Sequence, residues 1–428
     1  MYKQSSHRVI TITSKIVNNL ARAESSNALT FKVKYTIQNI QRASFHSTKQ
    51  KHRTKGSGLS NGDNASVNGG NKSIIHGAFY SKGHNCFSAH TSFRKFSSST
   101  DEAFRRFRSF ANGEQFTKRF TDSALQYTVS VAYSPKDRLK SGGSSDDGVY
   151  DDGEFVQNFK LLNAKNVFES PTGEDNYILA YTEIGIIVGV LDGVGGWSEQ
   201  GFDSSAISRE LANKVTQFYL EDPKQAPLDI LNKAFKTVKD EGSVKVGSTT
   251  ICFGIIDGKS GKLKALNLGD SWFGVFRKDE NARYKCIEQS KEQVYYFNAP
   301  YQLSIIPNDF LEAAKKKGSK YLMNEPNESD KYSYGLQKGD IVVFTTDGMI
   351  DNVFPDDIEL YLNDNASEGV NLSESLGDLN KVLVQQTTVL SLNSNFKSAF
   401  SQKLTSLTGQ DYIGGKPDDI TSVMVYIK

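Results

Sequence analysis

Three short runs carry carboxylates in similar settings: VLDGVGG at 190–196, FTTDGMID at 344–351 and KPDDITSV at 416–423. No histidine follows His90. A Ser-His-Asp triad, a Cys-His pair and a histidine-ligated zinc site all need imidazole, so the body of the chain is closed to those chemistries. Carboxylates without imidazole suit hard, oxygen-seeking cations such as magnesium or manganese instead. Asp-Gly by itself says little, because it is a common turn dipeptide and recurs at Asp147, Asp152 and Asp257. Asp192 and Asp347 differ in context. Each follows a β-branched apolar run that reads as a buried strand, and a strand held in a core fixes its terminal carboxylate better than a loop does. Further acids stand near such runs: Glu174 and Asp175 in TGEDNY, Asp270 at a tight turn, Asp351 one helical turn after Asp347, and Asp418 with Asp419 before the final run. Gathered in one place without cations, they would repel one another and shift upward in pKa. The alternative is a set of separate, solvated turn acids, and spacing alone leaves both readings open.

The elements that must position these acids begin near residue 125. Strand-like runs are predicted at 125–132, 177–183, 184–191, 247–256, 262–268, 271–277, 340–346 and 420–427. Asp257-Gly258 with the following KSGK makes a hairpin of two of these runs, and Gly269-Asp270 joins the next two. Helical periodicity occupies 204–220 (Ile207, Leu211, Val215, Phe218), 228–238 (Leu231, Ala234, Phe235, Val238) and a longer stretch at about 368–408. Strands in hairpins with helices between groups of them predict an α+β fold of antiparallel sheets, not a doubly wound parallel sheet.

The charge is unevenly spread. Residues 1–100 carry 15 Lys/Arg against two acids, Glu24 and Asp63, while the remainder is net acidic. A basic head on an acidic body fits an address tag on a cation-binding domain, and argues against nucleic-acid binding, which keeps its basic face on the folded part. Residues 1–96 read as a mitochondrial targeting and disordered basic segment. Val9, Ile12, Ile16, Val17 and Leu20 fall at helical spacing among Arg and Lys, and processing is expected after Phe45 or Phe96. Residues 97–124 read as a linker and 125–428 as the catalytic domain. No apolar run reaches the ~18 residues of a membrane span. Cys86, Cys252 and Cys286 lack CxxC spacing, which points to a reducing compartment, with Cys252 as a small buried hydrophobe.

The ordered motifs GEDNY, LDGVGGW, GSTT, NLGDSW, TTDGMIDN and KPDDIT resemble the protein phosphatase 2C family of metal-dependent Ser/Thr phosphatases over roughly 125–428. DGVGGW, YYFNAPYQLS and GGKPDDIT are most similar to its mitochondrial homologue 7 branch. The resemblance implies a four-layer sandwich, two antiparallel sheets face to face and flanked by helices. It further implies that Asp192 bridges two Mn²⁺ or Mg²⁺ ions, with the Gly193 carbonyl as another ligand. Asp347 and Asp418 would ligate one ion directly, and Glu174 and Asp175 would act through the other ion's water shell. Asp270 and Asp351 would serve a weaker third ion, and Gly247, Ser248 and Thr249 would serve close packing. The implied reaction is direct attack on phosphoserine or phosphothreonine by a hydroxide bridging two ions, with Asp192, Asp347 and Asp418 central. The expected partners are mitochondrial phosphoproteins, in the matrix, with the enzyme a monomer.

Two departures stand out. The position two residues after the bridging aspartate, often histidine in relatives, is Val194, and no arginine lies between 139 and 208 to clamp phosphate. Lys165 is a candidate for the clamp, against the simpler reading of a solvated surface lysine. Trp197 and Trp272 read as packing aromatics. The departures also motivate a second hypothesis, a pseudophosphatase that binds phosphoproteins without cleaving them. A third is a phosphatase for a small phosphorylated metabolite.

Overall fold

Along Ile341–Thr345 every residue is buried, yet the side chains divide by turns between two cores. Val342 and Phe344 join one cluster and Ile341 and Val343 the other, as the period of two requires. A strand covered on both faces must be apolar throughout, which explains why this run and Gly185–Leu191 lack alternation. Each fully buried Val, Ile or Phe contributes about 1.5–3 kcal/mol.

The computed structural model describes residues 110–136, 171–200, 202–366 and 369–428. Its strands are β1 (Gln115–Arg119), β2 (Gln126–Ser134), β3 (Asn176–Tyr181), β4 (Gly185–Leu191), β5 (Gly247–Thr249), β6 (Ile251–Asp257), β7 (Lys262–Leu268) and β8 (Trp272–Lys278). They continue with β9 (Tyr284–Gln289), β10 (Val294–Tyr296), β11 (Ala299–Pro300), β12 (Leu303–Ile305), β13 (Asp330–Gly335), β14 (Ile341–Thr345) and β15 (Ile420–Ile427). One antiparallel sheet has the order β1-β2-β15-β14-β8-β9 and another the order β13-β7-β6-β4-β3. Val129, Val131, Phe273, Phe344, Val423 and Val425 from the first share a core with Ile178, Val188, Phe253 and Leu266 from the second. Ile207, Leu211 and Val215 of helix Ser205–Glu221 and Leu231 and Phe235 of helix Pro227–Glu241 extend that core. On the far side of the six-stranded sheet, Trp272, Phe276 and Met424 meet Ile358, Leu376 and Leu383 of helices Pro355–Asn365 and Leu372–Ser391. The layers are helix, sheet, sheet, helix: an α+β sandwich.

Several boundaries differ from the sequence expectation. β1 falls inside the stretch read as a linker. It pairs with β2 and is flanked by buried Phe110 and Phe120, but as a half-exposed edge strand bearing Lys118 and Arg119 it has little apolar pattern. The helical stretch at 368–408 is two helices, Leu372–Ser391 and Ala399–Thr408. Polar residues 393–395 break it, and Ser398 caps the second helix by accepting from Ser401 N at 3.1 Å. The run 247–256 splits at Thr250, and β5 pairs with β12 away from the main sheets. Gly269-Asp270 joins β7 to β8, which lie in opposite sheets. The head, both processing positions and Lys165 lie outside the described residues. Among the described residues no helix is long and apolar enough to cross a membrane.

Candidate metal centre

The acids hang from strand ends that meet. β14 delivers Asp347 and β15 leaves from Asp419; the two strands pair antiparallel, with Thr345 opposite Ser422. Thr346 N continues the ladder to Thr421 O at 3.1 Å, and Thr421 N donates to Thr346 Oγ1 at 3.1 Å. The same hydroxyl donates to Asp175 Oδ2 at 2.8 Å, which ties the residue just before β3 to the other sheet. β4 delivers Asp192. Its carbonyl accepts Thr250 N at 2.9 Å and Thr249 Oγ1 at 2.8 Å. Val194 N donates to Ser248 O at 2.9 Å, so the GST segment holds the DGVGGW loop by its backbone. Trp197 is buried and donates from Nε1 to Ser248 Oγ at 3.0 Å; Trp272 is buried likewise. Both tryptophans pack rather than face solvent.

Glycines permit the closest approaches. Gly173 has φ +74°, and a side chain there would collide with the Asp419 carboxylate. That carboxylate accepts Glu174 N at 2.8 Å on Oδ2 and Lys136 N at 2.6 Å on Oδ1. Asp419 therefore organises the backbone of the TGED turn, while its neighbour Asp418 faces the cluster.

The electrostatics record the convergence. Burial, then the charges of Asp347, Asp175, Asp418 and Asp270, push the Asp192 carboxyl well above the usual carboxylate range. Burial, then Asp347 and Asp351, do the same for Asp270. Burial, then Asp419, raises Asp175, and burial, then Asp347, raises Asp418. Asp192, Asp347, Asp418, Asp175, Asp270 and Asp351 thus share one environment, and Glu174 joins it through lysine contacts. Two residues that sequence reasoning missed sit among them. Lys416 Nζ lies 2.6 Å from Asp347 Oδ2, 2.6 Å from Asp351 Oδ2 and 3.4 Å from Asp418 Oδ2. Lys136 Nζ pairs with Glu174 and lies 3.2 Å from Asp418 Oδ1. Burial would raise Asp347, but the Lys416 ammonium overcomes it and holds that carboxyl below its usual value.

The donors are oxygens throughout, and Asp347 Oδ1 is buried with no hydrogen-bond donor among the described residues. That set fits a hard divalent cation. Among the described residues no three acidic, thiol or imidazole groups already stand gathered around one point, and ammonium groups lie between the acids.

A pH dependence follows from the raised carboxyls. Asp351 is pushed up to about 6 and Asp419 to about 7, burial being the largest cause for both. Unfolded, both ionise near 3.9, so the fold binds protons that the unfolded chain releases. The stability this adds is full below the unfolded value and disappears as pH rises through about 6 to 7. Asp347 runs the other way: its contribution is present above the unfolded value and lost only as pH falls below it. We therefore expect the melting temperature in EDTA to rise as pH is lowered from about 8 to about 5. Thermal scans across that window check it, and a falling temperature would contradict the assignment.

Residues 183–395 match the family described as Stage II sporulation protein E (SpoIIE). The chain is 41% identical over 325 residues to "Protein phosphatase 2C homolog 7, mitochondrial" of Saccharomyces cerevisiae, covering 74% of this chain and 87% of that one. It is 33% identical over 259 residues to "Protein phosphatase PTC7 homolog" of Danio rerio, covering 59% and 80%. In fold it is similar to the photosystem II phosphatase PBCP, at a TM-score of 0.51 and 24% identity, over 71% of this chain and 99% of that one. With the same sandwich and relatives of this extent, the chain belongs to the protein phosphatase 2C family and is a serine/threonine protein phosphatase.

Proposed function

We propose that the chain dephosphorylates phosphoserine and phosphothreonine in mitochondrial proteins, using Mn²⁺ or Mg²⁺ held by its acid cluster. The observation that carries this reading is the meeting of carboxyls from separate strand ends: Asp347, Asp351 and Asp418 share the Lys416 ammonium, and burial with the charge of Asp347 pushes Asp192 and Asp270 upward. Asp192, Asp347, Asp418 and the Gly193 carbonyl would hold the ions directly. Glu174 and Asp175 would act through bound water, and Asp270 and Asp351 would serve a weaker third position. Bound ions supply Lewis acidity toward water and toward the phosphoryl oxygens.

The chain's own contribution is placement. Thr346 fixes Asp175 through a hydroxyl, and the β14–β15 ladder sets the spacing of Asp347 from Asp418. Gly193 N donates to Glu174 O at 3.2 Å, which holds the bridging loop against the TGED turn. Val194 offers no proton, so protonation of the leaving serine or threonine oxygen falls to water or to the substrate itself rather than to imidazole. The named relatives are phosphatases, and nothing observed favours the pseudophosphatase reading.

Mitochondrial placement is supported by the basic head together with a relative whose name carries that location. Hydrolysis of a phosphothreonine peptide tests the activity. Turnover should depend on added Mn²⁺ or Mg²⁺ and vanish in EDTA, whereas equal turnover after chelation would remove the metal from the account. Imaging of a fusion carrying residues 1–96 tests the address.

A further inference from the structure

We propose that Lys416 and Lys136 are resident counter-ions of the acid cluster, so that a divalent cation binds by exchange with their ammonium groups rather than by entry into waiting ligands. The proposal rests on the metal reading above. Lys416 Nζ touches Asp347 and Asp351 at 2.6 Å each and Asp418 Oδ2 at 3.4 Å. Lys136 Nζ pairs with Glu174, with Asp418 Oδ1 at 3.2 Å and with Asp419 Oδ2 at 4.0 Å. The two lysines thus each take a different oxygen of one carboxylate, Asp418. Between them they engage Glu174, Asp347, Asp351 and Asp418, four of the acids assigned to cations.

This placement is built rather than incidental. Lys416 is fixed at its backbone by buried Asn352, which accepts its N–H at 2.9 Å and donates to its carbonyl at 2.8 Å. Lys136 is fixed at its N–H by Asp419 Oδ1 at 2.6 Å. The side chains themselves remain able to move. Their four-carbon stems are flexible, and 19% of the Lys416 side chain and 27% of the Lys136 side chain is exposed. The Phe400 ring, its centroid 5.4 Å from Lys416 Nζ, already adds an aromatic face to the ammonium's surroundings.

Exchange has a signature that other roles lack. A lysine that only braces the fold would, when removed, weaken both the metal-free protein and its metal site. A lysine that only meets substrate would change neither in the absence of substrate. A resident counter-ion gives opposite signs: without it the bare acids repel, so the metal-free protein weakens while its appetite for a divalent cation grows.

The test is calorimetric titration of MnCl₂ into the full chain and its Lys416→Met variant, with melting of both in EDTA. The expected result is about tenfold or greater tightening of Mn²⁺ binding together with a lower melting temperature in EDTA. Unchanged or weaker Mn²⁺ binding by the variant would overturn the proposal. Lys136→Met repeats the comparison at the other side of Asp418. The unaltered protein gives a third readout: Mg²⁺ should increase acylation of Lys416 and Lys136 by an amine reagent, read by peptide mass spectrometry. If acylation stays the same while calorimetry shows Mg²⁺ bound, exchange is wrong and the metal reading stands. If calorimetry shows no binding of either ion to any of these proteins, both fall together.

Discussion

Asp192→Asn should lower kcat/KM on a phosphothreonine peptide by at least about a thousandfold, equivalent to ~4 kcal/mol of transition-state stabilisation, while leaving the metal-free protein as stable as before or more so. The loss follows from position. The carboxylate directly follows a fully buried strand and feels the charges of Asp347, Asp175, Asp418 and Asp270. The gain in stability follows from the same environment. Ionising this group inside the fold is opposed by burial and by its neighbours, and an amide of nearly the same shape removes that opposition. Activity and stability thus move in opposite directions, as expected where acids are gathered for chemistry at a cost to the fold. Steady-state kinetics with Mn²⁺ and melting in EDTA, on the same preparation, read both signs. Activity within tenfold of the parent would remove Asp192 from the centre of the reaction.

Gly348→Ala should cost the fold about 1–3 kcal/mol and reduce Mn²⁺ affinity by tenfold or more. Gly348 lies in the short helix Asp347–Ile350, and a Cβ there would overlap the backbone carbonyl of Asp419 and approach Ile420 Cγ1 at 3.1 Å. Neither neighbour is free to yield. The carbonyl belongs to the main chain at the start of β15, and Ile420 is fully buried. The added methyl must therefore drive Asp347 and Asp418 apart, moving two acids of the cluster with one carbon. Thermal melting and calorimetry with MnCl₂ measure the two effects. Normal affinity in a folded variant would show that the spacing of these segments is less critical than the contact implies.

The parts that sequence displayed were those whose signal is local. Ile341–Phe344 and Ile186–Leu191 carry no polar side chain because both faces are covered, and the aspartate shortly beyond each run marks its end. The parts it hid depend on partners distant in sequence. Lys416 was in plain view two residues before Asp418, yet a lysine in a polar loop ordinarily reads as solvated. Only Asp347 and Asp351, 69 and 65 residues away, make it an internal cation. A basic residue inside a run of otherwise acidic motif positions was the available clue. Lys136 pairs with Glu174 across a long intervening segment, and nothing near it in sequence announces the meeting. Asp418 and Asp419 illustrate a further limit. Adjacent residues entering a strand point opposite ways, so one carboxylate faces the cluster and the other secures backbone, but sequence alone does not say which. β1 escaped notice because an edge strand with one wet face needs little apolar residue.

β15 lies between β2 and β14 in the interior of the six-stranded sheet, and Asp418 directly precedes it. A ribosome emits Asp192 long before it emits Asp418. The sheet's interior position therefore stays open until Ile420–Ile427 takes it, and until then β2 and β14 have no shared neighbour. In the metal reading proposed above, a chain that holds Asp192 but has not yet placed β15 has no acid cluster, because the strand that follows Asp418 also joins the two flanks of the sheet.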